Sequence, residues 1–143
     1  MNIQFSFPDI VLKKEDLYEP LSSVIEKTVD EKYFFSERAV AGMMRKREFM
    51  NKGRAQDIEK PCNTVGVHLA KVSLNSTDTV LKIGERYRRF TPREVARIQS
   101  FLENFKLVGS ETAQYRALGN AISPVMFWYV ANSVCKYLNI ENT

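Results

Sequence analysis

The sequence predicts an α+β chain, with a small mixed region of short strands and a hairpin followed by a helical C-terminal segment. Three observations carry this. Between residues 64 and 83 apolar side chains alternate in short runs broken by turn formers. Residues 91–94, 110–113 and 123–124 each carry helix-start signals. The last helical pattern is apolar over most of its circumference. A length of 143 residues, 44% of them hydrophobic and 11% aromatic, is enough for a core, which excludes a disordered tail.

The chain opens on an extended apolar stretch, "IQFSFPDIVL". In "DLYEPLSSVIEKTV" the residues Leu17, Leu21, Val24, Ile25 and Val29 fall near helical spacing, and Pro20 weakens that helix near its start. Residues 1–30 are thus a lead-in whose apolar side chains need something to pack on. A helix follows in "FSERAVAGMMRKREFMNKG", with Ser36 as N-cap, Glu37 at the positive end of the dipole and Gly53 as a stop. Ala39, Val40, Met43, Met44 and Phe49 share one side, while Arg45, Lys46, Arg47, Lys52 and Arg54 crowd the last turns. Those cations have two readings, a solvated face that complements the dipole or a set of phosphate contacts.

The pattern then turns to β. Val65, Val67 and Leu69 alternate, Asn75 to Asp78 form a turn, and Val80, Leu81 and Ile83 make a second short strand, giving a hairpin or a small sheet with irregular loops. The final third is helical. Thr91 serves as N-cap, Pro92 takes the first helical position and Glu94 closes a capping box. "SETA" at 110–113 starts a second helix and Ser123-Pro124 a third, whose run "VMFWYVANSVCKYL" places Cys135 among apolar neighbours, as core.

Several classes are excluded. Two cysteines without short ligand spacing, and the single His68, cannot build a zinc site, so no metal is expected. His68 reads as a strand residue. No apolar run reaches the roughly 20 residues of a membrane span, and the N-terminus lacks signal-peptide order, so a cytoplasmic protein is expected. A net charge of +4 favours an acidic partner without naming one.

Two segments point further. "RYRRFTPREVARIQSF" carries Arg88, Arg89, Thr91, Pro92, Arg93, Glu94, Ala96, Arg97, Gln99 and Phe101, and "QYRALGNAISP" carries Tyr115, Gly119, Asn120, Ala121 and Ile122. Together and in this order they resemble the last two motifs of the DNA cytosine-5 methyltransferases. Phe90 replaces a usual leucine, Leu102 a usual proline, and Ser123 stands near a position that often holds proline. More loosely, the stretch from about residue 31 is similar to the recognition region that precedes these motifs. The family's cofactor loop, its Pro-Cys nucleophile, its Glu-Asn-Val element and its Gln-x-Arg-x-Arg element have no match in the sequence.

Pro61-Cys62 does not fill that gap, because it follows "QDIEK" and lies only a few dozen residues before the penultimate motif. It resembles the Lys-Pro-x-x-Thr step into a recognition strand, so no catalytic residue is expected here. The resemblance implies methyl transfer from S-adenosyl-L-methionine to a flipped cytosine, with the thiol supplied by another chain. Residues 31–110 would be the recognition domain on double-stranded DNA, with Thr64 and Val65 as base readers and Arg45, Lys46, Arg47, Lys52 and Arg54 on phosphates. Arg88, Arg93, Glu94, Arg97 and Gln99 would organise that domain. Residues 111–143 would return to a Rossmann-like catalytic domain in the partner, with Gly119, Asn120 and Ala121 bordering the shared cofactor and Gln114 and Tyr115 buttressing the turn. A plain αL turn is the other reading of Gly119 to Ala121. The apolar last helix requires a partner, so the expected protein is the recognition subunit of a split enzyme, a reading that Met1 and the lead-in favour. A stand-alone DNA-binding or regulatory module, or an inactive fragment, are its rivals.

Overall fold

Donors and acceptors supplied by distant residues decide where the elements stop. The computed structural model describes residues 19–45, 55–71 and 79–138. The apolar opening before residue 19, Phe49, Gly53, the Asn75 to Asp78 turn, and Lys46, Arg47, Lys52 and Arg54 lie outside the described residues, as do the side chains of Met43, Met44 and Arg45.

The first helix, α1, is one turn, Leu21–Val24, instead of the longer helix that the spacing from Leu17 to Val29 suggests. Its backbone is claimed from elsewhere. Leu21 and Ser22 donate to the carbonyls of Lys60 and Ile58 at 3.0 and 2.8 Å, and Glu26 donates to the Glu94 carboxylate at 2.7 Å. After a 3-10 turn at Glu31–Tyr33, α2 runs over Glu37–Arg45, with the Ser36 hydroxyl accepting from the Ala39 N–H as expected of an N-cap.

The sheet has three strands in the order β1 (Ala55–Gln56), β2 (Val80–Ile83) and β3 (Arg86–Arg88). β1 is parallel to β2, with Ala55 opposite Val80, and β2 is antiparallel to β3, with Leu81 opposite Arg88. Phe34 bridges to Arg88, so the chain at 33–35 continues the sheet past β3. There the Arg86 guanidinium lies 4.0 Å from the Phe34 ring centroid and pairs with Glu31.

The hairpin that forms is not the expected one, since Val80–Ile83 pairs with Arg86–Arg88 and not with Val65 to Leu69. Gly84, at φ +59°, sits at the first central position of a two-residue turn, where a positive φ is needed. Val65 to Leu69 is not a strand. Val65 and Leu69 are buried there without strand pairing, and a 3-10 turn covers Leu69–Lys71.

Three helices complete the chain, α3 (Pro92–Ile98), α4 (Glu111–Asn120) and α5 (Pro124–Tyr137). The capping box at Thr91 and Glu94 forms in full, and Ser110 caps α4 through the Ala113 N–H. Ser123 occupies the N-cap position of α5 without capping it. Instead the Ser100 hydroxyl, on a residue with φ +61°, accepts from the Val125 N–H and lies 2.6 Å from the Ser123 hydroxyl.

One core joins α1, the loop before the 3-10 turn, the hairpin, α3 and α4 through Leu21, Val65, Leu69, Leu81, Phe90, Val95, Ala96, Tyr115 and Leu118. α5 contributes no buried residue. Cys135, expected in a core, is half-buried on that helix.

Candidate functional site

The residues of the penultimate motif form one buried polar lock. Arg88, 1% exposed, and Glu94, 0% exposed, pair bidentately, with guanidinium nitrogens 2.8 and 2.7 Å from the two carboxylate oxygens. Each oxygen also accepts one backbone N–H, from Glu26 and from Thr91, both at 2.7 Å. The carboxylate is thus fully satisfied, a condition for holding a charge inside a protein. The Thr91 hydroxyl passes the network on to the Glu26 carboxylate at 2.7 Å.

Neighbouring motif residues tie further segments to this lock. Arg97 grips the Glu103 carboxylate at 2.9 and 2.7 Å and donates to the Val24 carbonyl at 3.1 Å. Bonding from Arg97 holds the Glu103 carboxyl below its usual range. Arg93 donates to the Phe105 carbonyl at 2.9 Å, and Gln99 to the Leu118 carbonyl at 3.1 Å. Each of Arg88, Arg93, Glu94, Arg97 and Gln99 therefore bonds to its own chain. Glu26 was missed in the sequence, where nothing distinguishes it from an ordinary surface glutamate.

The second motif is helical almost to its end. Tyr115 is buried and donates its hydroxyl to the Phe90 carbonyl, and burial pushes its pKa up, so the hydroxyl remains a donor. Gln114 bonds to Gly109 at 3.1 Å, at the start of α4, and so does not buttress the turn that follows. Gly119 and Asn120 close α4, and Ala121 is its extended C-cap, which removes the αL reading. A Cβ on Gly119 would stand 2.6 Å from the backbone of Gly66 and Val67. The room that this glycine leaves is filled by the chain itself, and so is not a cradle for a ligand. Asn120 is exposed at the end of α4, and its amide has both a donor and an acceptor.

Of the two residues expected to read bases, Thr64 is exposed, whereas Val65 is 6% exposed within the core. Its side chain belongs to the core cluster that includes Leu69 and Leu118. Cys62 packs against the same core, and burial pushes its thiol up to about 11. About one such thiol in ten thousand is ionised at pH 7, which makes it a poor nucleophile.

α5 is the opposite case. Val125, Met126, Phe127 and Trp128 are 51%, 57%, 57% and 59% exposed, and Tyr129, Val130, Tyr137 and Leu138 are exposed as well. Successive exposed positions run around the helix, so no single stripe faces the core. Among the described residues no helix is long and apolar enough to cross a membrane.

Residues 8–136 match the C-5 cytosine-specific DNA methylase family, a match that begins upstream of residue 31. Among curated relatives, the type II methyltransferase M.AplI of Arthrospira platensis is 38% identical over 85 residues, 59% of this chain and 24% of its own. The type II methylase M.HgiEI of Herpetosiphon aurantiacus is 31% identical over 136 residues, 83% of this chain and 31% of its own. M.DsaV of Dactylococcopsis salina is 26% identical over 97% of this chain and 40% of its own. The chain thus spans well under half the length of these relatives. The fold is similar to that of the S. pombe Dnmt2 methyltransferase, at TM-score 0.69 and 18% identity over 94% of this chain and 45% of that one. It is also similar to the Entamoeba histolytica methyltransferase EhMeth, at TM-score 0.64 and 18% identity over 84% and 41%. The chain belongs to the C-5 cytosine-specific DNA methylase family.

Proposed function

We propose that this chain is the DNA-recognition subunit of a split, cytoplasmic DNA (cytosine-5)-methyltransferase and completes one edge of its cofactor site. The catalytic thiol and the main cofactor-binding motifs lie outside these 143 residues, in a partner chain. Residues 31–110 meet double-stranded DNA, and residues 111–143 dock on the partner's catalytic domain after residues 1–30 lead in.

The observation that carries this reading is α5, a 14-residue helix with no buried residue and with Phe127 and Trp128 more than half exposed. A contiguous apolar surface of this kind is a mark of an interface, since water is an unfavourable cover for it. The protonated Cys62 thiol supports the placement of the nucleophile elsewhere. S-adenosylmethionine supplies the methyl group when bound. Asn120 would border it, while Gly119 and Ala121 hold that asparagine in place by fixing the end of α4.

Thr64, exposed beside the buried Val65, faces the groove. Arg45, Lys46, Arg47, Lys52 and Arg54 contact phosphates, which positions the protein without specifying sequence. Arg88, Arg93, Glu94, Arg97 and Gln99 keep the recognition domain in shape.

The test is methyl transfer from labelled S-adenosylmethionine to DNA by this chain alone, by a chain carrying the Pro-Cys motif alone, and by the two co-expressed. Activity only in the mixture is expected, and it persists with Cys62→Ala. Activity from this chain alone would overturn the reading. Silence in all three would make the chain a binding module or an inactive fragment.

A further inference from the structure

Between the Leu69–Lys71 turn and α4 lies a cleft of about 330 Å³ in which every charged lining residue among those described is basic. His68 and Lys71 line one side, and Thr112, Arg116 and Asn120 line the other. The last three are spaced i, i+4, i+8, so they share one face of the helix. Among the described residues, no acidic side chain lines the cleft. The acid nearest in sequence, Glu111, is taken up by Lys32 at 2.8 Å and Arg89 at 3.1 Å. Neither Lys71 nor Arg116 makes an ion pair among the described residues.

The walls are fixed before any ligand arrives. Arg89 donates to the Ala70 carbonyl on one side and to the Glu111 carboxylate on the other, both at 3.1 Å, so one side chain clamps the two together. At the far end the bare Gly119 backbone lets Gly66 and Val67 pack directly on α4. A charged cleft that needs no ordering loses little entropy when it fills, and cations without partners keep their potential for an anion.

We propose that this cleft seats one backbone phosphate of duplex DNA, with Lys71 and Arg116 as its charged contacts and Thr112 as a neutral donor. Guanidinium and ammonium groups are suited to phosphate oxygens, as a forked donor and a point charge respectively. The inference rests on the DNA-binding reading above and adds contacts apart from the Arg45 to Arg54 cluster.

The experiment measures affinity of the full chain for a labelled duplex by anisotropy across a salt series. Loss of one phosphate contact makes the slope of log K against log salt less steep by about 0.9. That change is expected for Lys71→Ala/Arg116→Ala, both substitutions being at exposed positions, with the fold checked by circular dichroism. Arg116→Lys keeps the wild-type slope. So does Lys136→Ala, at an exposed lysine on α5 outside the cleft.

A double variant with the wild-type slope overturns the inference while leaving DNA binding intact, as does a Lys136→Ala slope flattened to the same extent. A wild-type chain that binds no duplex overturns the DNA-binding reading and this inference together. Titration with inorganic phosphate at fixed ionic strength tests the other source of the anion. Saturable binding of free phosphate tighter than that of the duplex overturns the assignment to DNA.

Discussion

Replacing Glu94 by glutamine removes one charge from the lock while keeping its size. Each Glu94 oxygen accepts one Arg88 N–H and one backbone N–H, from Glu26 or Thr91, at 2.7 to 2.8 Å. A carboxamide puts an NH2 where two donors already point, and leaves the guanidinium, 1% exposed, without its counter-charge. Breaking one side of a buried pair costs about 3–5 kcal/mol. A domain's whole stability is about 5–15 kcal/mol. At about 4 °C per kcal/mol the melting temperature should fall by about 12–20 °C. Urea and thermal unfolding of the chain measure this directly. Arg88→Met/Glu94→Leu should recover part of the loss, because no lone charge is left in the core, although the N–H groups of Glu26 and Thr91 still lose their acceptor. A Glu94→Gln penalty below about 1 kcal/mol, or strictly additive single and double variants, would refute the argument.

Four more outcomes are expected. Gly119→Ala should destabilise the chain by about 1–3 kcal/mol, since its Cβ meets backbone at 2.6 Å rather than a yielding side chain, and a urea midpoint equal to wild type would show the contact to be loose. Trp128→Glu should leave the unfolding free energy of the isolated chain within about 0.5 kcal/mol yet, on the proposed docking role of α5, weaken co-purification with a chain carrying the Pro-Cys motif at least tenfold, and unchanged capture would refute that role. Cys62 in a Cys135→Ser background should react slowly with a disulfide reagent near pH 7 and faster as the pH climbs toward 11. Burial raises the folded thiol's pKa above the unfolded value, so its contribution to stability is present below about pH 9 and fades as pH rises toward 11. Subtracting the pH profile of Cys62→Ala isolates it, and parallel profiles would show that the thiol is not held neutral by burial.

The sequence by itself determined the features whose partners are a few residues away. Ser36, Thr91 with Glu94, and Ser110 each meet an N–H within three residues, so their caps could be read from spacing. The apolar circumference of α5 and the two motifs are likewise local facts, and they were enough to reach the family. Only the tertiary structure decided where α1 ends, because the acceptors of Leu21, Ser22 and Glu26 lie at Lys60, Ile58 and Glu94. The same holds for the hairpin, where Arg86–Arg88 carries little strand signal but places Arg88 against Glu94. Val65 alternates like a half-exposed strand residue, yet the close approach of Gly66 and Gly119 draws it into the core. Ser100 takes over the cap of α5 from Ser123, and Lys71 and Arg116, 45 positions apart, share one cleft because Arg89 clamps its two walls. Contacts of this kind depend on which distant backbone groups remain unpaired after folding, and no window along the chain contains that information.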